Sequence, residues 1–242
     1  MKVAVITGVS SGIGLATTKI FLRNRYRIYG ISRRQPQISH KNLIWLKADL
    51  ASSSKIGAVL NHITENRIDV LINNAGTSVK QKIDEININS FKLQFDLNFL
   101  APIFLVQKLR HKLGGGLVIN VSSIFAQMPM TGYGFYCASK SALNSYFTVF
   151  ALEHKDIKII NIMPDAVDTP LLRKLVGPDF DLKQTIKSDQ IGQVLYQLSG
   201  ENDQFKSGSQ IIIVNHAQMG DVQTTGETWV YNSDKDACVK IK

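Results

Sequence analysis

Apolar runs, interrupted only at Gly30, Asn120, Lys158 and Asn161, recur along the chain at 3–6, 28–31, 43–46, 70–72, 117–121, 157–163 and 211–214. A continuous run, as opposed to alternation with polar residues, marks a strand covered on both faces. Between the runs, apolar residues return at helical spacing, as Ile13, Ala16, Ile20 and Phe21 do after the first. Strands alternating with helices predict an α/β fold: a doubly wound, mostly parallel sheet of seven strands with helices on both faces. A chain of 242 residues with 44% apolar content can bury one sizeable core. No Pro/Ser/Gly linker, internal repeat or low-complexity stretch divides it, so residues 1–216 read as a single domain. Residues 217–242 read as a polar tail with one apolar patch, Thr228-Trp229-Val230-Tyr231, which either packs on a neighbouring subunit or is loosely ordered.

Where the first run ends, the sequence is Thr7-Gly8-Val9-Ser10-Ser11-Gly12-Ile13-Gly14. A strand, a glycine-rich turn and a helix in that order form the setting of a dinucleotide fingerprint, here spaced Gly-x-x-x-Gly-x-Gly. Gly8 lets the chain turn sharply, Gly12 lets backbone approach a pyrophosphate, and Gly14 lets helix and strand pack closely. Free N–H groups at the helix start then face the phosphates. Far along the chain stands Tyr136-Cys137-Ala138-Ser139-Lys140. A Tyr and a Lys four apart share one helix face, and an ammonium held close to a phenol favours the phenolate. Ser123 lies thirteen residues upstream, just past the strand Leu117-Val118-Ile119-Asn120-Val121, where a hydroxyl can be aimed at a substrate oxygen.

Composition narrows the setting. The formal charge of +9 is concentrated at the start, where residues 1–49 carry nine basic side chains against Asp49 alone. A nucleic-acid surface would use such charge. No recognition motif accompanies it, and a solvated helix face around Lys19 and Arg23 accounts for it. Two cysteines, Cys137 and Cys238, make no disulfide framework, and no His/Cys cluster has metal-ligand spacing, so no metal is expected. A first strand beginning at Lys2 leaves no room for a secretory signal, and no apolar stretch is long enough for a membrane span. The expected setting is a reducing cytoplasm.

These motifs, in this order, resemble the short-chain dehydrogenase/reductase family in its compact single-domain branch, from residue 1 to about Asn215. Thr7 to Gly14 is similar to its cofactor turn, and Asp49-Leu50 to the pair flanking the adenine. Asn73-Asn74-Ala75-Gly76 resembles the signature after its fourth strand. Asn98, Ser123, Tyr136 and Lys140 fall where its catalytic tetrad falls. The resemblance implies a Rossmann-like fold and hydride transfer between a nicotinamide and a carbonyl or secondary alcohol. It further implies that Tyr136 donates the proton, Ser123 hydrogen-bonds the same oxygen, and Lys140 lowers the Tyr136 pKa and holds the ribose. Asn98, in the helical stretch from Phe91 to Leu113, would position a water. The resemblance also implies a homodimer or homotetramer built on helices near 91–113 and 136–154, to which Phe147, Phe150, Ala151 and Leu152 offer apolar surface.

Cofactor choice is read from the end of the second strand, Arg27-Ile28-Tyr29-Gly30-Ile31. NAD(H) calls for an acid there and a 2′-phosphate for arginine. Ser32, Arg33 and Arg34 follow, so NADP(H) is expected over NAD(H). Later matches are looser. Pro164, Val167 and Thr169 resemble the stretch bordering the nicotinamide, but Asp165 stands where glycine is usual. It is expected to face solvent, with tuning of the nicotinamide or contact with substrate as alternatives. Phe125, Met128, Met130, Tyr133 and Leu172 are expected to line the substrate cleft, under a short lid from Leu171 to Ser188. The expected function is an NADP(H)-dependent carbonyl reductase acting on small molecules. The alternative is a catalytically silent dinucleotide sensor or scaffold, which would have no need of a proton donor.

Overall fold

Each predicted apolar run forms a strand, its ends shifted by no more than two residues. They are β1 (Val3–Thr7), β2 (Arg27–Ser32), β3 (Leu43–Lys47), β4 (Val70–Asn73), β5 (Leu117–Val121) and β6 (Lys158–Pro164), followed, after a short pair β7 (Val167–Asp168) and β8 (Ile186–Lys187), by β9 (Ser209–Ile213). The computed structural model describes residues 1–200, 205–214, 229–232 and 237–240. The seven long strands make one sheet in the order β3-β2-β1-β4-β5-β6-β9. Every pairing is parallel, which confirms the doubly wound, Rossmann-like expectation.

Alternation along β1 shows how the layers are built. Val3 and Val5 enter a core cluster with α2 (Ser53–Leu60), α4 (Ala101–Leu109) and α5 (Gly134–Glu153). Ala4 and Ile6 enter the opposite cluster with α1 (Gly12–Arg23) and α7 (Ser188–Leu198). Ile6, Ile28, Ile72, Ile119, Ile160 and Ile162 are almost wholly buried on that second face. Continuous apolar runs are therefore required by a sheet sandwiched between two helical layers.

The helix expected from Phe91 to Leu113 is broken. α3 (Ile88–Phe95) passes into a π-helical turn over Asp96–Leu100, then α4, then a 3-10 turn over Arg110–Lys112. Pro102 in the first turn of α4 has no N–H to extend the earlier ladder, and the π turn absorbs the mismatch. Of the tail expected over 217–242, β10 (Trp229–Asn232) and β11 (Ala237–Lys240) form an antiparallel pair. The rest of that expectation lies outside the described residues. Among the described residues no helix is long and apolar enough to cross a membrane, and no cluster of His, Cys, Asp or Glu could hold a metal.

Near the carboxyl ends of the central strands, three asparagines cross the sheet in register on the α4/α5 face. Asn73 donates to Asn120 at 2.8 Å, and Asn120 donates to Asn161 at 2.8 Å, all three buried. Buried amides are stabilising only when paired. Asn120→Ala removes both bonds and strands two partners, so it should cost about 2–4 kcal/mol. Urea denaturation checks this, and a loss below about 0.5 kcal/mol would mean that the ladder contributes nothing.

Candidate active site

The turn between β1 and α1 is fixed from the neighbouring strand. The Thr7 hydroxyl accepts from the Asn74 and Ala75 backbone N–H groups, each at 2.9 Å, and the Asn74 side-chain amide donates to the Thr7 carbonyl at 2.8 Å. Gly8 has φ +75°, and a Cβ there would lie 2.7 Å from Asn74 Nδ2. At Gly14 a Cβ would overlap the Gly8 carbonyl. The first turn of α1 holds no acid, and its N-cap, Ser11, makes no side-chain capping bond. The leading N–H groups of α1 thus remain available to an anion, with Ser10, Ser11 and Ile13 half-buried around them. This cradle fits a pyrophosphate.

The remaining cofactor candidates spread along the carboxyl ends of the strands. Ser32 is buried; its hydroxyl donates to the Arg34 carbonyl at 2.7 Å and accepts from the Trp45 indole N–H at 3.1 Å. Arg33 and Arg34 are exposed. The Asp49 carboxylate accepts from the Ala51 N–H at 3.2 Å, whereas Leu50 belongs to the core. Val167 also buries its side chain in the core, leaving only its backbone for a ligand. The Thr169 hydroxyl caps α6 (Pro170–Leu175), accepting from the Leu172 N–H at 3.1 Å.

Asn98, Ser123, Tyr136 and Lys140, scattered in sequence, meet where β5 ends against α5. The Lys140 ammonium donates to the Val121 carbonyl at 2.8 Å and lies 5.8 Å from the centre of the Tyr136 ring. Ser123 accepts at its hydroxyl from the Phe125 N–H at 3.2 Å. Asn98, in the π turn, accepts from the Thr77 N–H and donates to the Thr77 carbonyl, both at 2.9 Å, and donates to the Ser139 hydroxyl at 3.0 Å. Ser139 in turn donates to the Tyr136 carbonyl at 2.8 Å. A Cβ on Gly76 would stand 3.2 Å from Asn98 Oδ1 and 3.6 Å from Lys140 Nζ, so glycine keeps that space open.

One expectation is corrected here. Lys140 does not lower the Tyr136 pKa in this arrangement. Burial pushes the phenol up to about 12, the neighbouring Ser123 hydroxyl pulling down only in part, and burial brings Lys140 down to about 8. Thr7, Thr77 and Ser139 were not among the candidates. Ser139 lies inside the Tyr-x-x-x-Lys stretch, but nothing in the sequence marks it as the tie to Asn98.

The cleft residues divide. Phe125 stacks on Tyr133 at 5.4 Å and on Tyr136 at 6.2 Å, whereas Met130 is exposed. Leu172 is half-buried on α6. Asp165 does not face open solvent as expected. It is half-buried, and burial raises its pKa, opposed by a bond from the Ala166 N–H. Of the helical residues offered for assembly, Phe147, Phe150 and Ala151 are core; the exposed large apolar side chains are Val149 and Leu152 on α5, with Ile88, Phe91 and Leu93 on α3. Two open cavities border the fold. One of about 640 Å³ is walled by Gly12, Thr169, Pro170 and Arg173 beside the cradle. The other, about 470 Å³ between Tyr26 and Tyr196, lies at the opposite end of the strands.

Residues 2–178 match the family model described as short chain dehydrogenase. The chain is 29% identical over 187 residues to a benzil reductase ((S)-benzoin forming) of Bacillus subtilis, covering 71% of this chain and 76% of that one. It is 30% identical over 193 residues to the uncharacterized oxidoreductase YIR035C of Saccharomyces cerevisiae, covering 73% and 76%. A crystal structure of a short chain dehydrogenase family protein from Francisella tularensis superposes with a TM-score of 0.82 at 27% identity, covering 88% of this chain and 96% of that one.

The buried ammonium has a consequence for stability. The Lys140 pKa, about 8 when folded, lies below the ordinary lysine value near 10.4 that holds in the unfolded chain. Between those limits the unfolded state binds more protons, so stability from this group rises with pH. The denaturation midpoint of wild type should therefore climb more from pH 8 to 10 than that of Lys140→Met. Parallel curves would show that the ammonium is not desolvated.

Proposed function

The chain belongs to the short-chain dehydrogenase/reductase family of oxidoreductases, and on that premise we propose that it transfers a hydride between NADP(H) and the carbonyl or secondary alcohol of a small molecule, working as a carbonyl reductase. The observation carrying this reading is the meeting of Ser123, Tyr136 and Lys140 at the end of β5, within reach of a glycine cradle suited to a pyrophosphate. Bound NADPH would supply the hydride; the protein supplies proton, orientation and charge.

Tyr136 is the proton donor. A phenol held near 12 keeps its proton at neutral pH, the form that reduction of a carbonyl requires. As negative charge grows on the substrate oxygen, the Ser123 hydroxyl donates to it and the Tyr136 proton follows. Lys140, which donates to the Val121 carbonyl, would hold the ribose hydroxyls of the bound cofactor and, brought toward the phenol oxygen, would ease proton release. Asn98 is a positioning residue, pinning the loop after β4 to α5 through Thr77 and Ser139. The preference for NADP(H) rests on the absence of an acid after β2 and the exposed Arg33 and Arg34 in its place. The exposed apolar side chains of α3 and α5 suit a homodimer or homotetramer, and the sensor reading leaves the proton donor without a purpose.

Tyr136→Phe should fold and bind NADPH but lose turnover by two or more orders of magnitude, measured as kcat on a ketone panel. Near-normal turnover would remove Tyr136 from the chemistry. If Arg33 grips the 2′-phosphate, one charge-assisted contact of about 1.5–3 kcal/mol makes NADPH preferred by roughly ten- to a hundredfold in kcat/KM. Arg33→Ala should erase most of that ratio with little change in NADH use. A wild-type preference for NADH would overturn the assignment.

A further inference from the structure

β6 directs its last residues at the cleft. Ile160 and Ile162 face the α1/α7 core, whereas Met163 joins Ile124, Ile212 and Val214 in a small cluster against which Phe125 packs. The Asp165 N–H donates to the Ile213 carbonyl at 2.9 Å, so pairing with β9 continues past Pro164. Strand alternation therefore places Asp165 on the same side as Met163 and Val214. Phe125 packs on that cluster and also meets the Tyr136 ring edge-on at 6.2 Å, so the side of the sheet that carries Met163 and Asp165 adjoins the proposed proton donor.

The carboxylate there is half-buried and its polar contact is the Ala166 N–H. Among the described residues no cation pairs with it, although three residues later Asp168 is held by Arg173 at 2.7 Å and approached by Lys187 at 3.9 Å. A partly desolvated carboxylate without a partner destabilises the fold. The position is one where the resembled family keeps glycine, so nothing in the backbone demands a charge.

Resting on the reductase reading above, we propose that Asp165 is the substrate-recognition residue, and that the substrate is a ketone, or its alcohol, carrying a hydroxyl or ammonium donor beside the reacting carbon. The donor group meets the carboxylate while the apolar remainder lies against Phe125 and Tyr133. A site built to hydrogen-bond a substrate group rejects the analogue lacking it, since the buried polar group is then left unpaired.

Three near-isosteric ketones test this: 2-hydroxyacetophenone, 2-aminoacetophenone and propiophenone. Intrinsic reactivity differs among them, so the readout is how each donor-to-propiophenone ratio of kcat/KM changes between wild type and variant. Asp165→Gly should lower both ratios by roughly ten- to a hundredfold, chiefly through KM. Asp165→Asn should keep the hydroxyl ratio within a few-fold and lose most of the ammonium ratio. Unchanged ratios, or an equal fall on all three ketones, would overturn this inference while leaving the reductase reading standing. The same holds if wild type reduces propiophenone and ignores the donor-bearing pair. A wild-type protein that binds NADPH yet reduces none of the three, nor any of a broader ketone panel, overturns both.

Discussion

The contact on which the rest of the site depends is the close approach of the β1–α1 turn to the end of β4. The Thr7 hydroxyl and carbonyl take three hydrogen bonds from Asn74 and Ala75, which draws the loop after β4 across the start of α1. That proximity leaves no room for side chains at Gly8 and Gly14. It also fixes Gly76 beside Asn98 and Lys140, so the glycine-rich turn and the cluster of Asn98, Ser123, Tyr136 and Lys140 share one rigid support. Distances between reacting atoms are then set by strands buried on both faces, the least deformable part of the fold.

Burial decides the electrostatics of the cluster. A charge partner 5.8 Å from the Tyr136 ring would ordinarily favour the phenolate, yet desolvation outweighs it and the phenol keeps its proton. The same desolvation brings Lys140 to about 8, near enough to neutrality for it to exchange protons. The same desolvation raises the pKa of the half-buried Asp165, opposed by the bond from the Ala166 N–H.

The π turn at Asp96–Leu100 is the local irregularity that makes the cluster possible. From this wider turn the Asn98 amide reaches both Thr77 and Ser139. Tyr136 is held indirectly through the same contact, because Ser139 bonds its carbonyl.

Strand positions, the parallel sheet and the glycine cradle were legible in the sequence, because each rests on a periodicity or spacing that local geometry enforces, whereas Asn98 joined Ser123, Tyr136 and Lys140 only through the family resemblance. Seven apolar runs became seven strands within two residues, and Tyr136 and Lys140 share a helix face by spacing alone. What only the tertiary structure decided are quantities set by neighbours distant in sequence. The order of strands brings Asn73, Asn120 and Asn161 into one ladder, and it is burial that raises the Tyr136 pKa against the expected direction. Phe147 and Phe150 look like interface by pattern and are core in fact, since helical periodicity gives a face but not what covers it. Asp165 reads as solvent-facing until β9 is paired beside it and half-buries it, because desolvation depends on how much of the rest of the chain surrounds a charge, and no local sequence window contains that.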